Sequence, residues 1–154
     1  MVKSRDDRQT MDLLDWQPPT LVKRYEEQTV RASTLRARVA HAVSATLRDS
    51  GRDRDEVAAE MGAWLGENVT RNMLDAYASE ARREHTIPFL RLLALVHVTG
   101  DVRALQLAAE PFGHSVIEDR FLPWVEVGQL AIKKEEIARE LDAAHRIARK
   151  GGKP

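Results

Sequence analysis

Residues 53–81, DRDEVAAEMGAWLGENVTRNMLDAYASEA, read as two short helices joined by a polar turn, and a pair this short needs the rest of the chain to hold it. Asp53 stands where a helix cap belongs, and Val57, Ala58, Met61, Trp64 and Leu65 follow at helical spacing as one apolar stripe. Gly66, Glu67 and Asn68 break that pattern, Val69 supplies an apolar plug, and Thr70 is a good N-cap for the second helix. The spacing predicts that this helix covers 70–81, with Leu74, Tyr77, Ala78 and Ala81 facing inward.

The outer face of the second helix carries Arg71, Asn72, Asp75, Ser79 and Arg82. Arg and Asn present paired donors and acceptors that match guanine and adenine edges in a major groove, while Thr, Ser and Arg bind phosphate. The pair is therefore a helix-turn-helix candidate. A polar face of this kind is also what any amphipathic helix shows to solvent, and residue pattern alone leaves both readings open.

A chain of 154 residues is long enough for one compact domain that buries roughly 68 to 70% of its unfolded surface. It contains no cysteine, so disulfides, thiolate metal sites and cysteine nucleophiles are excluded, as suits a reducing cytosol. The charged start MVKSRDDRQT is unlike a signal peptide, and no apolar run reaches the length of a membrane helix. A cytoplasmic protein with no membrane partner is expected. Its 24 basic and 24 acidic residues balance, which removes the global basic bias common in nucleic-acid binders. Arginines nonetheless gather at 31–54 and 71–91, so a local basic face remains open.

Residues 1–22 are expected to form an arm: a charged leader, then Leu13, Leu14 and Trp16 closed by Pro18 and Pro19, which hold the segment extended. A helical run with a break near 32–34 is expected from Lys23 to Asp49, with Leu35, Val39, Ala42, Val43, Thr46 and Leu47 on one side. Arg31, Arg36, Arg38 and Arg48 occupy the other side, and Ser50-Gly51 ends the run. After the central pair, Pro88 opens the segment PFLRLLALVHVTG, apolar nearly all round and expected to be the buried centre of a bundle. His97 there reads as a packed histidine. Gly100 stops this helix and Asp101 caps the next, which closes at Pro111 and Gly113.

Residues 114–123 read as a linker, in which Val116 and Ile117 are compatible with a short strand or an extended segment. A last helix is expected over 124–150, with Leu130, Ile137 and Ala144 at seven-residue intervals and Leu141 thickening the seam. That seam either pairs two copies as a homodimer or folds back on the bundle at 23–113.

Signatures of catalysis are missing from the sequence. No glycine loop that cradles phosphate is present, and His41, His85, His97, His114 and His145 are scattered without metal-ligand spacing. Neither a cofactor, a metal nor an enzymatic activity is therefore expected.

The order long, short, short, buried, short over Arg31 to Phe112 resembles the lambda-repressor-like DNA-binding fold, with Val57, Ala58 and Met61 at inward positions of its second helix and Leu74 and Tyr77 at those of its recognition helix. DLLDWQPP, the Arg-rich helix and the segment DEVAAEMGAWLGENVTRNMLDAYASEARREHTIPFLRLLALVHVTG together look like small regulators encoded by Mu-like transposable phages and related prophages. The resemblance implies an all-α, five-helix bundle that binds duplex DNA. Arg71, Asn72 and Asp75 would lie nearest the bases, with Asn68, Thr70, Ser79, Arg82 and Arg83 nearer phosphates. The run from Gly62 to Thr70 is longer than the family's usual turn. That departure and the zero net charge favour the rival expectation, an all-α adaptor that engages a phage or host protein through the Trp16 arm and the C-terminal helix.

Overall fold

The computed structural model describes residues 20–151, so the Trp16 arm and the last three residues lie outside what is described. The described residues form seven α-helices and two single 3₁₀ turns, with no strand. The protein is all-α.

A first short helix, α1 (Glu27–Val30), is followed by a break and then by α2 (Leu35–Asp49). The break fulfils the expected interruption, but the helical run as a whole begins later than Lys23. Thr34 restarts it by accepting the N–H of Ala37 at 3.2 Å. Next come α3 (Arg54–Leu65) and α4 (Arg71–Tyr77), each with its expected cap: Asp53 accepts from the N–H of Asp55 at 2.8 Å, and Thr70 from that of Met73 at 3.4 Å. The chain continues through α5 (Phe89–Thr99), α6 (Arg103–Ala109) and a 3₁₀ turn, Glu110–Phe112. A second 3₁₀ turn, Asp119–Phe121, leads into α7 (Leu122–Gly151), a helix of 30 residues.

Helices α2, α3, α4 and α5 enclose the main core. Val43 and Leu47 enter it from α2, Val57, Ala58 and Met61 from α3, Leu74 and Tyr77 from α4, and Ala94 and Leu95 from α5. Val69 plugs it from the turn, as its apolar character predicts. The inner side of α2 is shared, because Ala42 and Ala45 meet Tyr25, Val30 and Leu107 in a second cluster. Through that cluster α1 and α6 are fastened to the back of the bundle.

Four expectations are corrected. The second helix of the central pair stops at Tyr77 and does not reach Ala81, which is exposed. Beyond it, side chains of α2 hold the chain instead of a further helical turn: Arg36 donates to the Glu80 carbonyl at 2.9 Å, and His41 pairs with its carboxylate at 2.9 Å. Secondly, α5 is not the fully buried centre. Only Ala94 and Leu95 are buried in it, and Phe89 and Leu90 project outward because α3 and α6 cover one side of the helix alone. Thirdly, His97 is exposed and stacks on the Trp64 ring at 4.8 Å between centroids. Lastly, the linker at 114–123 is shorter than expected, since α7 begins at Leu122 and takes Pro123 into its first turn, where a missing N–H costs nothing.

One close approach fixes the geometry between α3 and α4. The Gly62 carbonyl accepts from the N–H groups of Gly66 (2.9 Å) and Glu67 (3.2 Å), and Gly66 reverses the chain in the left-handed region at φ 71°. A Cβ on Gly62 would stand 2.7 Å from the Glu67 carbonyl oxygen, so the turn 66–70 folds back over a helix surface bare of side chain. We expect Gly62→Ala to lose about 1–3 kcal/mol of stability in urea denaturation, since backbone has to move. Gly128→Ala, in the open on α7, is expected to gain about 0.5–1 kcal/mol of helix stability.

Candidate nucleic-acid interface

The sequence-predicted contact residues fall in two groups at opposite ends of α4. At its N-terminal end Asn68, Arg71 and Asn72 are exposed, while Thr70 is occupied as the cap. Arg71 does not project alone. Its Nη1 donates to Asp55 at 3.0 Å and its Nε lies 3.8 Å from Asp75, whose carboxylate also pairs with Arg54. Two arginines and three aspartates, counting Asp53, meet where α3 and α4 begin.

The second group lies beyond the C-terminal end of α4. Arg82 and Arg83 are exposed on the loop after Tyr77, and Ser79 is half-buried. Arg83 lines an open groove with Ser33, Thr34 and Arg36 at the start of α2. The structure thus adds Arg36 to the expected residues. Arg82 and Arg83 belong to the polar loop expected over 82–86, so Arg82 is not on the outer face of the helix itself, and the two groups are separated by the length of α4, roughly 10 Å.

Position is given to α4 from behind by Arg91 of α5. Arg91 donates to Glu67 in the turn at 2.8 Å and to the Tyr77 hydroxyl, and rests 3.6 Å from the Met73 sulfur. The bonds to Glu67 and Tyr77 raise its pKa further above that of a free guanidinium. Nothing in the periodicity of α5 marks this residue as a brace. Its only signal was a charge inside an otherwise apolar helix.

A second polar cluster, also unforeseen, ties α2 to α6. Thr46 is almost wholly buried and donates to Asp101 at 2.7 Å; its oxygen therefore accepts from Tyr25, whose hydroxyl burial pushes up to about 12. Arg103 grips the Asp101 carboxylate through Nε (2.9 Å) and Nη2 (2.7 Å), reaches Asp49 at 2.8 Å and lies over the Tyr25 ring at 4.4 Å. Asp101 also accepts the N–H of Arg103 at 3.0 Å, although the cap position of α6 falls on Val102, one residue later than expected. Burial opposes the Asp101 charge, but the bonds from Arg103 and Thr46 outweigh it and hold the carboxyl below its usual range. Asp49 is lowered too, first by its hydrogen bond from Arg103.

Among the described residues no group of three or more His, Asp or Glu is arranged to hold a metal ion, and no helix is long and apolar enough to cross a membrane. Comparison with family models, with curated proteins and with solved structures finds no match for the chain.

The two depressed aspartates set the sign of an acid transition. Their stabilisation is complete above the unfolded carboxylate range, near pH 4, and is lost as pH falls through the lower folded values. The raised Tyr25 acts at the other extreme: its contribution holds below about pH 10 and is lost as pH rises through about 12. Asp101→Asn is expected to cost about 1–3 kcal/mol near neutrality and to flatten the acid limb of a stability–pH profile followed by chemical denaturation.

Proposed function

We propose that this chain is a sequence-specific, duplex-DNA-binding regulator that uses α3 and α4 as a helix-turn-helix, acting in the host cytoplasm as do the regulators of Mu-like transposable phages that its sequence resembles. The observation that carries this reading is the mounting of α4. A helix of seven residues is capped by Thr70, seated by Leu74 and Tyr77 and braced by Arg91, yet it leaves Arg71 and Asn72 at an exposed edge. Such a mounting suits a helix whose outer face makes contacts rather than one that only completes a core.

In this reading Arg71 and Asn72 address base edges, and Asp75 accepts from a cytosine amino group or orients Arg71. Asn68 and Thr70 meet the backbone at one end of α4, and Ser79, Arg82, Arg83 and Arg36 meet it at the other. To reach a base Arg71 has to leave Asp55. That exchange is inexpensive because exposed ion pairs contribute little, at most about 1 kcal/mol. The aspartates then act against binding to random DNA, since phosphates nearby repel them in every sequence.

A second reading, the non-enzymatic adaptor, is favoured by a specific observation: Asp55 and Asp75 pair with the two arginines at the proposed contact edge, and Asp53 adds a third negative charge nearby. An adaptor has no phosphates to neutralise, so salt dependence separates the two.

The division of roles predicts changes in opposite directions. Arg71→Ala is expected to weaken specific binding by roughly 1–3 kcal/mol and to relax preference at one base pair. Arg83→Ala is expected to weaken all sequences alike and to flatten the salt dependence by about one counterion. Asp55→Asn, by contrast, is expected to tighten random-duplex binding several-fold. Titration of the three variants against a selected and a random duplex checks this. Equal losses for Arg71→Ala and Arg83→Ala on both duplexes, with no gain for Asp55→Asn, would sink the proposal.

A further inference from the structure

Among the described residues, none of α7 is buried and the one element that packs on it extensively is the turn Asp119–Phe121 leading in. The helix is roughly 45 Å long and shows Val127, Leu130, Ile137 and Leu141 to solvent, each more than half exposed. A lone helix that carries Gly128 in its interior is weakened in water, and an apolar seam of this length is the kind of surface that a partner covers.

We propose that this partner is the α7 of a second copy, and that the two helices pair antiparallel. The charges decide the direction. In heptad terms the seam runs Val127, Leu130, Lys134, Ile137, Leu141, Ala144 and Ala148, with Lys134 the single charge within it. A parallel, in-register pair sets Lys134 against the partner's Lys134 inside the seam. Its flanking contacts would be Glu126 with the partner's Ala131, Lys133 with the partner's Ala138, and Glu140 with the partner's His145. Like charges meet, and no carboxylate faces a lysine.

Reversing one helix removes both defects. Val127 then packs on the partner's Ala144, Leu130 on the partner's Leu141, and Lys134 on the partner's Ile137, where its aliphatic stem covers the isoleucine and its ammonium reaches solvent. Lys133 faces the partner's Glu140, and the symmetry repeats that pair. On the other flank Ala131 meets the partner's Ala138, also twice, and these small side chains allow the backbones to come close. At the outermost positions of the first flank Glu126 faces the partner's Ile147, which adds no ion pair. Two bundles are thereby held at opposite ends of the paired rod, an arrangement that stands whether or not α4 binds DNA.

The chain has no cysteine, so one introduced thiol is a unique probe. Full-length Val127→Cys and Ala144→Cys chains are mixed and treated with a short bifunctional thiol reagent, and each is treated alone. The proposal expects linked dimers of the mixed kind and few from either variant alone. Lys133→Glu is expected to weaken dimerisation roughly tenfold in sedimentation, with much of the loss recovered when Glu140→Lys is added in the same chain. Each variant linking to its own kind would overturn the direction. A wild-type chain that sediments as a monomer at the concentration used for linking would overturn the pairing itself.

Discussion

A helix of seven residues has almost no stability of its own, so everything that α4 presents to solvent depends on what grips it from behind. Leu74 and Tyr77 enter a core built by three longer helices, and Arg91 joins the turn, the hydroxyl of Tyr77 and the edge of Met73 through one guanidinium. The entry angle is set by a close backbone approach, in which turn 66–70 lies against Gly62 where no side chain intervenes. Apolar seating, a cation brace and a glycine contact together fix the direction of Arg71 and Asn72. Loosening any of the three would make the outer face of α4 indefinite, whatever that face meets.

Charge is distributed with the same economy. The helix beginnings at Asp53 and Thr70 bring acidic residues next to Arg54 and Arg71, whereas at the other end Arg36, Arg82 and Arg83 stand with Glu84 and with Glu80, whose carboxylate is taken up by His41. Zero net charge therefore conceals two unlike ends of one short helix. In the proposed regulator this gives one end that discriminates and one that attracts. In an adaptor the same pattern would be an ordinary solvated surface, and α7 would carry the interaction.

Much of this arrangement was legible in the sequence where a residue acts on its own neighbours. Asp53, Thr34 and Thr70 cap as short polar residues before apolar periods do, and Val57, Ala58, Met61, Val69 and Leu74 are buried as their spacing requires. What escaped was decided over long separations. The end of α4 at Tyr77 depends on Arg36 and His41, some forty residues earlier, and Thr46 looked like one more residue of an apolar stripe until Asp101 and Tyr25 were brought to it. Phe89 and Leu90 carry a pattern that reads as buried, and only the number of helices packed against α5 leaves them outside. Arg71 was legible as a contact residue but not as the centre of an ion-pair cluster, because Asp55 belongs to another helix.

The most direct measurement for the central claim is binding of the purified wild-type chain to the duplex upstream of its own gene and to random duplex, each at two salt concentrations. The account predicts tight binding to the upstream fragment that survives random competitor, and an affinity that falls steeply as salt rises, because the arginines beyond α4 displace counterions from phosphate. Failure to bind either duplex at low salt, or an affinity indifferent to salt, would contradict it.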